Sequence, residues 1–423
     1  GEQQYYADAG GFMFPSVTDA TSGLLGIDLS RARPFPRDHV SSMASMYPFT
    51  SASRMYPFSD ATDGSTGAVV VNTGLAFADP PSEVAVWLGR AYATRALHET
   101  AQSAQASSFL NRRNRPPLPT VRRLGVAHPD AGIVGSTDGR SLGVELFHRC
   151  SPLGSQIHMH ADHNELQIGH GGVMLEGFPG AYKWAPSLSY PARHASCKSI
   201  AHNTIGMDLA LHSGAYYQCL GQQKWSNALT GTNAHLIKTR GKYRSIVDTA
   251  AYMAWVGDAT DAYWMSGYEL SLSLRAVVHV RPGLVIVVDA CDSSSGAHTW
   301  HAQFKTRVLP TFAAPWVTVS DSPGVLKRQN PYASGTISRT LGNQGWWDNE
   351  TPPSSPPAAP YNNSIDLPSA TTMRLVTVYQ VGSDAVTVVS SGASGDEITT
   401  VVTYLGRTWI VAFNAGSGAL RIT

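Results

Sequence analysis

Charged side chains are scarce in this chain, and a long apolar run is missing. Asp, Glu, Lys and Arg make up 14% of the 423 residues, and the formal net charge is only +1. A net charge so close to zero gives no electrostatic reason to expect a nucleic-acid partner. No apolar run reaches the length of about 18 residues that a membrane-spanning helix needs. We therefore expect neither a nucleic-acid partner nor a membrane partner.

Cysteine is also rare, and its spacing excludes one common kind of metal site. The sequence has four widely separated cysteines: Cys150, Cys197, Cys219 and Cys291. No Cys-x-x-Cys pair occurs, so a structural zinc site built from thiolates is not expected. One or two disulfides are compatible with this spacing, and the sequence does not choose between the pairings.

Low charge combined with abundant Gly, Ser, Thr and Ala is typical of an extracellular β-rich protein. The first residues, GEQQYYADAGG, contain no signal peptide, as expected of a mature or trimmed chain. Two Asn-x-Ser/Thr sequons, at Asn349 and Asn362, flank a Pro-rich stretch and are candidate glycosylated loops if the chain is eukaryotic. We expect a secreted or periplasmic location.

The pattern along the chain predicts two regions. Residues 1–120 combine irregular Pro-, Ser- and Gly-rich sequence with one amphipathic helix over 81–103, PSEVAVWLGRAYATRALHETAQS. Residues 121–423 are dominated by strand composition, including a hairpin in AVVHVRPGLVIVVDA that turns around 281–283. Many short strands with Gly-rich turns predict a mainly β protein, a large antiparallel β-sandwich after a short helical segment.

Titratable residues cluster in the stretch IHMHADHNELQIGHGGVMLEGFPGAY, residues 157–182. If this stretch is a strand, His158 and His160 face the same side, together with Asp162 if the strand continues. Two imidazoles on one strand face are a common metal-site geometry. His202, in SIAHNTIGMD, is the best third ligand, and Glu176 is a candidate carboxylate ligand. The alternative is a set of surface histidines that only form hydrogen bonds.

These motifs resemble those of the heparinase II/III-like polysaccharide lyases. That family carries H-x-H-A-D-x-N, then G-G-x-x-L-x-x-D-x-G-x-Y, then Y-R-x-(S/T)-x-x-A-H-N-T. The matching segments here are HMHADHNELQIGHGGVMLEGFPGAY and YPARHASCKSIAHNTIGMD. Weaker similarity extends over roughly residues 50–310. The resemblance implies a β-sandwich preceded by the end of an α/α toroid.

The resemblance also implies an activity and roles for particular residues. Such lyases cleave uronate-containing polysaccharides by β-elimination, which needs a suppressed carboxylate charge, a base for the C5 proton and an acid for the leaving oxygen. By resemblance, His158 is the catalytic histidine, while His160 and His202 hold a divalent metal, most simply zinc, that braces the site.

Two departures from the family pattern affect these expectations. Phe178 stands where the family has its metal-binding Asp, so either Glu176 substitutes for that Asp or the site is metal-free. The family's catalytic Tyr belongs to the toroid, most of which has no counterpart here. By position alone, Tyr5 or Tyr6 is the candidate general acid, and an upstream fragment of the same precursor is a candidate partner. Tyr47 and Tyr56 are alternative acids.

The expected substrate is an anionic, uronate-containing polysaccharide such as alginate or a glycosaminoglycan. Arg193 and Arg275 are candidate partners of its carboxylates, because guanidinium binds carboxylate in a forked geometry. Trp184 is a candidate platform for sugar rings.

Three other functions remain open from the sequence. A cupin-type metalloenzyme would use His158, His160, Glu165 and His202, although Glu165 falls on the opposite strand face unless a bulge or turn intervenes. A carbohydrate-binding or structural protein derived from a lyase would lack catalysis. A uronate C5-epimerase would share the proton abstraction and differ in reprotonation without chain cleavage.

Overall fold

The structure is a computed structural model, and it describes residues 124–129, 132–140, 143–151, 162–177, 202–208, 240–263, 269–344 and 361–423. These residues form twenty-one β-strands and one short 3-10 turn, Thr260–Ala262, with no α-helix among them. The mainly β antiparallel architecture predicted from the sequence is therefore confirmed. The predicted helix over 81–103 and the rest of residues 1–120 lie outside the described residues.

The strands are numbered in chain order. They are β1 Gly125–His128, β2 Ile133–Thr137, β3 Val144–Arg149, β4 Glu165–His170, β5 Val173–Glu176, β6 Ile205–Met207, β7 Lys242–Asp248, β8 Tyr252–Asp258, β9 Leu270–Val280, β10 Leu284–Ser293, β11 His298–Thr306, β12 Thr311–Ala313, β13 Trp316–Asp321, β14 Gly324–Ala333, β15 Ser338–Gln344, β16 Tyr361–Ala370, β17 Thr372–Val381, β18 Val386–Ser394, β19 Glu397–Tyr404, β20 Arg407–Asn414 and β21 Leu420–Ile422.

Three antiparallel sheets are stacked as layers. The first sheet has the strand order β1-β2-β3-β4-β5-β11-β16-β15, with β6 also paired to β11. The second has the order β12-β13-β14-β17-β10-β9-β8-β7, and the third has β18-β19-β20-β21. One apolar core lies between the first and second sheets, and another lies between the second and third. The second sheet is therefore the central layer.

The central position of the second sheet explains its apolar strands. Val285 and Val287 of β10 pack in the core against the first sheet, whereas Ile286 and Val288 pack in the core against the third. A strand buried on both faces is apolar at every position instead of at every second one. The predicted hairpin is confirmed, since β9 and β10 pair in antiparallel register up to Val280 and Leu284.

One of the two sequons and two of the four cysteines lie among the described residues. Asn362 lies in β16 with a relative exposure of only 6%, so this sequon is part of a buried strand and not an accessible loop. The interpretation of this sequon as a loop, a candidate for glycosylation if the chain is eukaryotic and secreted, is therefore wrong about the loop. Cys150 and Cys291 are buried free thiols, while the other two cysteines lie outside the described residues.

In the described part of the chain, no helix is long and apolar enough to cross a membrane.

Candidate functional site

A turn precedes β4 and defines one side of the site. Asp162 lies before the turn, Asn164 adopts a positive φ of 64°, and the strand begins at Glu165. Asp162 would share the face of His158 and His160 only if a strand continued through it, and Asp162 itself is not in a strand. Gly257 of β8 permits the close approach of this turn, since a Cβ there would lie 2.2 Å from Asn164 Oδ1. Because of this turn, the alternation of side chains in β4 cannot be extended back to Asp162.

Three buried side chains converge beside this turn. One possible ligand atom from each of Asp162, Glu165 and His202 lies within 4.8 Å of those of the other two. The His202 Nδ1 atom is 2.9 Å from the Glu165 Oε2 atom. Asp162 of the H-A-D-x-N motif and His202 of the A-H-N motif, far apart in sequence, thus meet in the fold. We call Asp162, Glu165 and His202 the acidic-histidine group.

A buried arginine and a buried lysine interact electrostatically with the carboxylates of the acidic-histidine group. Arg149 forms an ion pair with Asp162, and burial lowers the pKa of Arg149 to about 10 while Glu165 opposes that change. Burial also lowers the pKa of Lys305 well below its usual value, and Glu165 again opposes the shift. Buried charges need such partners, because an isolated ion is costly to remove from water.

The acidic-histidine group has the donor chemistry of a metal site. Two carboxylates and one imidazole are ligands that zinc accepts. The Asp162 Oδ2 atom is buried and accepts no hydrogen bond from a described residue. An orphaned buried oxygen of this kind is what a bound cation would satisfy. The residues present therefore fit a divalent ion.

Arg275 supports the backbone on both sides of the group. Its Nε atom donates to Asp289 Oδ1 at 2.7 Å, and its Nη2 atom donates to Asp289 Oδ2 at 3.2 Å. Its Nη1 atom donates to the carbonyls of Asn164 and Asn203 at 2.6 and 2.5 Å. Arg275 is 5% exposed. The structure thus gives it a supporting position instead of the expected contact with a substrate carboxylate.

Asn203 links the same segments from the other direction. Its Nδ2 atom donates to the Leu166 carbonyl at 3.2 Å, and its Oδ1 atom accepts from the Lys305 amide at 2.7 Å. Through these two hydrogen bonds, the Asn203 side chain fixes the segment that carries His202 to the backbone of both β4 and β11.

Glu176 lies elsewhere in the core and is not a member of the acidic-histidine group. Its Oε2 atom forms an ion pair with Arg328, and its Oε1 atom accepts from the Tyr379 hydroxyl at 2.8 Å. The Arg328 guanidinium stacks over the Phe304 ring at 3.9 Å. Glu176 joins the first and second sheets through these contacts, so both its carboxylate oxygens already have partners, in contrast to the expected ligand role.

Glu165 is the site residue that sequence reasoning assigned only to the cupin alternative. Strand alternation placed Glu165 on the face opposite His158 and His160 unless a bulge or turn intervened, and the turn at Asn164 is such an interruption. The signal that could have found it is the Asn164 position, since Asn is one of the few residues that adopt a positive φ readily.

Several residues expected at the site lie outside the described residues. They are His158, His160, Tyr5, Tyr6, Arg193, Trp184 and Phe178. Their roles remain predictions.

No family model matches the sequence, and no curated protein does so either. Solved structures do match. One is a heparinase III, with 13% identity, a TM-score of 0.64, and coverage of 96% of this chain and 59% of that one. A second heparinase III has 12% identity, a TM-score of 0.58, and coverage of 87% and 51%. A heparan sulfate lyase from Pedobacter heparinus has 11% identity, a TM-score of 0.52, and coverage of 74% and 45%.

The chain thus spans between 45% and 59% of the length of these three structures. At such low identity the likeness concerns the fold and does not by itself transfer a substrate. The structural resemblance expected from the sequence motifs is confirmed: this chain has the fold of the heparinase III and heparan sulfate lyase structures.

Proposed function

We propose that this chain is part of a polysaccharide lyase that cleaves a uronate-containing anionic polysaccharide by β-elimination. The observation that carries the proposal is that Asp162 of the H-A-D-x-N motif and His202 of the A-H-N motif meet in the acidic-histidine group. The fold shared with heparinase III and heparan sulfate lyase structures supports the same reaction class. Among uronate polymers, the names of these neighbours favour a glycosaminoglycan over alginate.

The proposed metal site uses Glu165 in place of Glu176. Asp162, Glu165 and His202 would hold a zinc ion, and His160 is a candidate fourth ligand. A bound ion would supply structural bracing of the segment that carries His158. The proposed catalytic work belongs to the chain's own side chains.

His158 is the proposed catalytic residue. The C5 proton of a uronate is weakly acidic, so its removal requires that charge on the neighbouring carboxylate be suppressed. A neutral imidazole near pH 7 can accept the proton or donate a hydrogen bond to the carboxylate. Only three residues lie between His158 and Asp162, so the acidic-histidine group would restrain the segment that presents His158.

Four further residues are proposed to act as the general acid or to bind the substrate. Tyr5 or Tyr6 would protonate the leaving oxygen, or an upstream part of the precursor would supply the acid. Arg193 would pair with a substrate carboxylate, and Trp184 would stack on a sugar ring. Because the polymer is found outside cells, a secreted or periplasmic location is proposed.

The lyase reaction is tested by incubating the chain with heparan sulfate, alginate and a neutral glucan. Elimination creates an unsaturated uronate, which absorbs ultraviolet light. We expect rising absorbance with at least one uronate polymer and none with the glucan. Activity on the glucan alone would refute the substrate class. If the protein is retained on a column of the polymer but forms no product, the carbohydrate-binding alternative is favoured. If the polymer takes up deuterium from the solvent at C5 without being cleaved, the epimerase is favoured.

The metal proposal predicts bound zinc in protein purified without chelator, measured by elemental analysis. His202→Ala and Glu165→Gln should each lower the metal content and the melting temperature, because ligand binding is coupled to folding. Glu176→Gln is the matched control, since this carboxylate binds Arg328 and Tyr379. It should keep the metal even if it destabilises the fold. Loss of metal in Glu176→Gln, or wild-type protein without metal, would contradict the assignment.

A further inference from the structure

A second cluster of reactive side chains lies at the turn between β10 and β11. The His298 Nδ1 atom is 2.6 Å from Asp208 Oδ2, and the His298 Nε2 atom is 3.1 Å from Ser295 Oγ. The three side chains therefore form an Asp–His–Ser chain in which Nδ1 contacts the carboxylate and Nε2 contacts the serine hydroxyl. This order of contacts is the one by which a serine nucleophile is activated.

The Asp208 carboxylate is held in position by further bonds. Its Oδ1 atom accepts from the Thr299 amide and from the Thr299 hydroxyl, both at 2.8 Å. Burial raises the pKa of Asp208, but these hydrogen bonds and the one to His298 outweigh it, so the pKa is lowered overall. An ionised carboxylate at Nδ1 favours the tautomer with hydrogen on Nδ1, which leaves Nε2 as an acceptor facing Ser295.

The imidazole ring is restrained, whereas the serine is accessible. The His298 and Trp300 rings meet edge to face at a centroid distance of 6.2 Å, and the His298 side chain is only 8% exposed. Ser295 is exposed to solvent. Gly296 has a φ of 133°, and no atom of a described residue lies within 4 Å of the position where its Cβ would be. A substrate can thus approach Ser295 from the side of Gly296.

Other oxygen atoms also lie near the Ser295 hydroxyl. Ser293 Oγ is 3.1 Å away, and the Glu269 carbonyl is 3.4 Å away. Neither contact is shorter than the one to His298. The Ser295 amide donates to Ser293 Oγ at 3.1 Å and so is already used.

We propose that Asp208, His298 and Ser295 form a catalytic triad that hydrolyses short-chain acyl esters, a site independent of the proposed lyase site. Ser295 Oγ forms a bond to the ester carbonyl carbon while its proton passes to His298 Nε2. The carbon–oxygen bond to the alcohol then breaks, and His298 returns the proton to the departing alcohol. Water, activated by the same imidazole, releases the carboxylic acid and restores the serine.

The surroundings of Ser295 indicate the size of the acyl group. The neighbouring residues in the turn are all small, namely Ser293, Ser294, Gly296 and Ala297. They leave space but provide little apolar surface to enclose a long chain, so acetyl-sized groups are favoured over fatty acyl groups. The ester could be carried on a small alcohol or on a polysaccharide hydroxyl, which the experiment distinguishes.

The amides that follow Ser295 are the candidate donors for the developing oxyanion. In the described part of the chain, the amides of Gly296 and Ala297 donate to no acceptor. Backbone amides beside the nucleophile are a recurrent source of this stabilisation.

The test uses a fluorophosphonate probe, which labels activated serines, followed by mass spectrometry, together with the hydrolysis of p-nitrophenyl acetate. We expect labelling at Ser295 and hydrolysis above background. Ser295→Ala should abolish the label and lower turnover at least about 10³-fold, as loss of a triad member does. Asp208→Asn should also lower turnover. An O-acetylated polysaccharide is assayed in parallel for acetate release, to show which ester the site accepts.

Ser294→Ala is the matched control, because Ser294 is exposed in the same turn and its hydroxyl donates to the Glu269 carbonyl. It should keep both labelling and hydrolysis. Absence of labelling in the folded wild-type protein would overturn the proposal. Equal hydrolysis by Ser295→Ala and wild type would also overturn it. Failure of the lyase assay would not affect this result, since the two sites share no residue.

Discussion

Replacing His158 with alanine should lower the turnover on a uronate polymer at least about 10²-fold, the low end for a general acid–base group. The imidazole is the proposed acceptor of the C5 proton or donor to the carboxylate, and alanine can do neither. The initial rate of unsaturated product formation measures the effect. Circular dichroism should show that the fold is unchanged.

The control for this variant must be a histidine whose loss leaves the core intact. His163 is close in sequence but is buried, and its Nδ1 atom accepts from the Ser151 amide at 3.3 Å. His170 is a better choice because it is partly exposed at the other end of β4. His170→Gln should keep most of the activity. If both variants lose activity alike, the catalytic assignment of His158 is wrong.

Replacing Arg275 with leucine should lower the free energy of unfolding by about 3–5 kcal/mol, the usual cost of breaking a buried ion pair. Asp289 is 3% exposed and would lose its ion-pair partner. The Asn164 and Asn203 carbonyls would lose their donor as well. Denaturant unfolding monitored by fluorescence measures the change.

Two comparisons show whether the Arg275 effect comes from its burial. Arg421 pairs with Glu397 on the surface, where its side chain is 66% exposed. Arg421→Leu should therefore cost less than about 1 kcal/mol. Adding Asp289→Leu to Arg275→Leu should recover part of the lost stability, because the unpaired charge is removed. An Arg275→Leu cost as small as that of Arg421→Leu would show that the ion pair is not important for stability.

The different positions of Glu165 and Glu176 show where sequence reasoning reached its limit at the site. Both are acidic residues near the H-x-H segment. Strand alternation argued against Glu165, and Glu176 was the candidate because it lies two residues before Phe178, where the family has its Asp. Alternation fails when a turn interrupts the strand, as it does at Asn164. The packing of β4, β6 and β11 then decides which carboxylate contacts His202. The alternation of residues within one strand does not predict that packing.

By itself, the sequence determined the β architecture, the β9–β10 hairpin and the meeting of two distant motifs. Strand periodicity and turn residues are local properties, and the motifs matched a known pattern as whole segments. Only the tertiary structure decided that Arg275 is buried behind the site and that Asp208, His298 and Ser295 come together. Sheet stacking and the pairing of β6 with β11 bring those residues into contact. They are far apart in the sequence, and no local pattern shows which distant segments will pair.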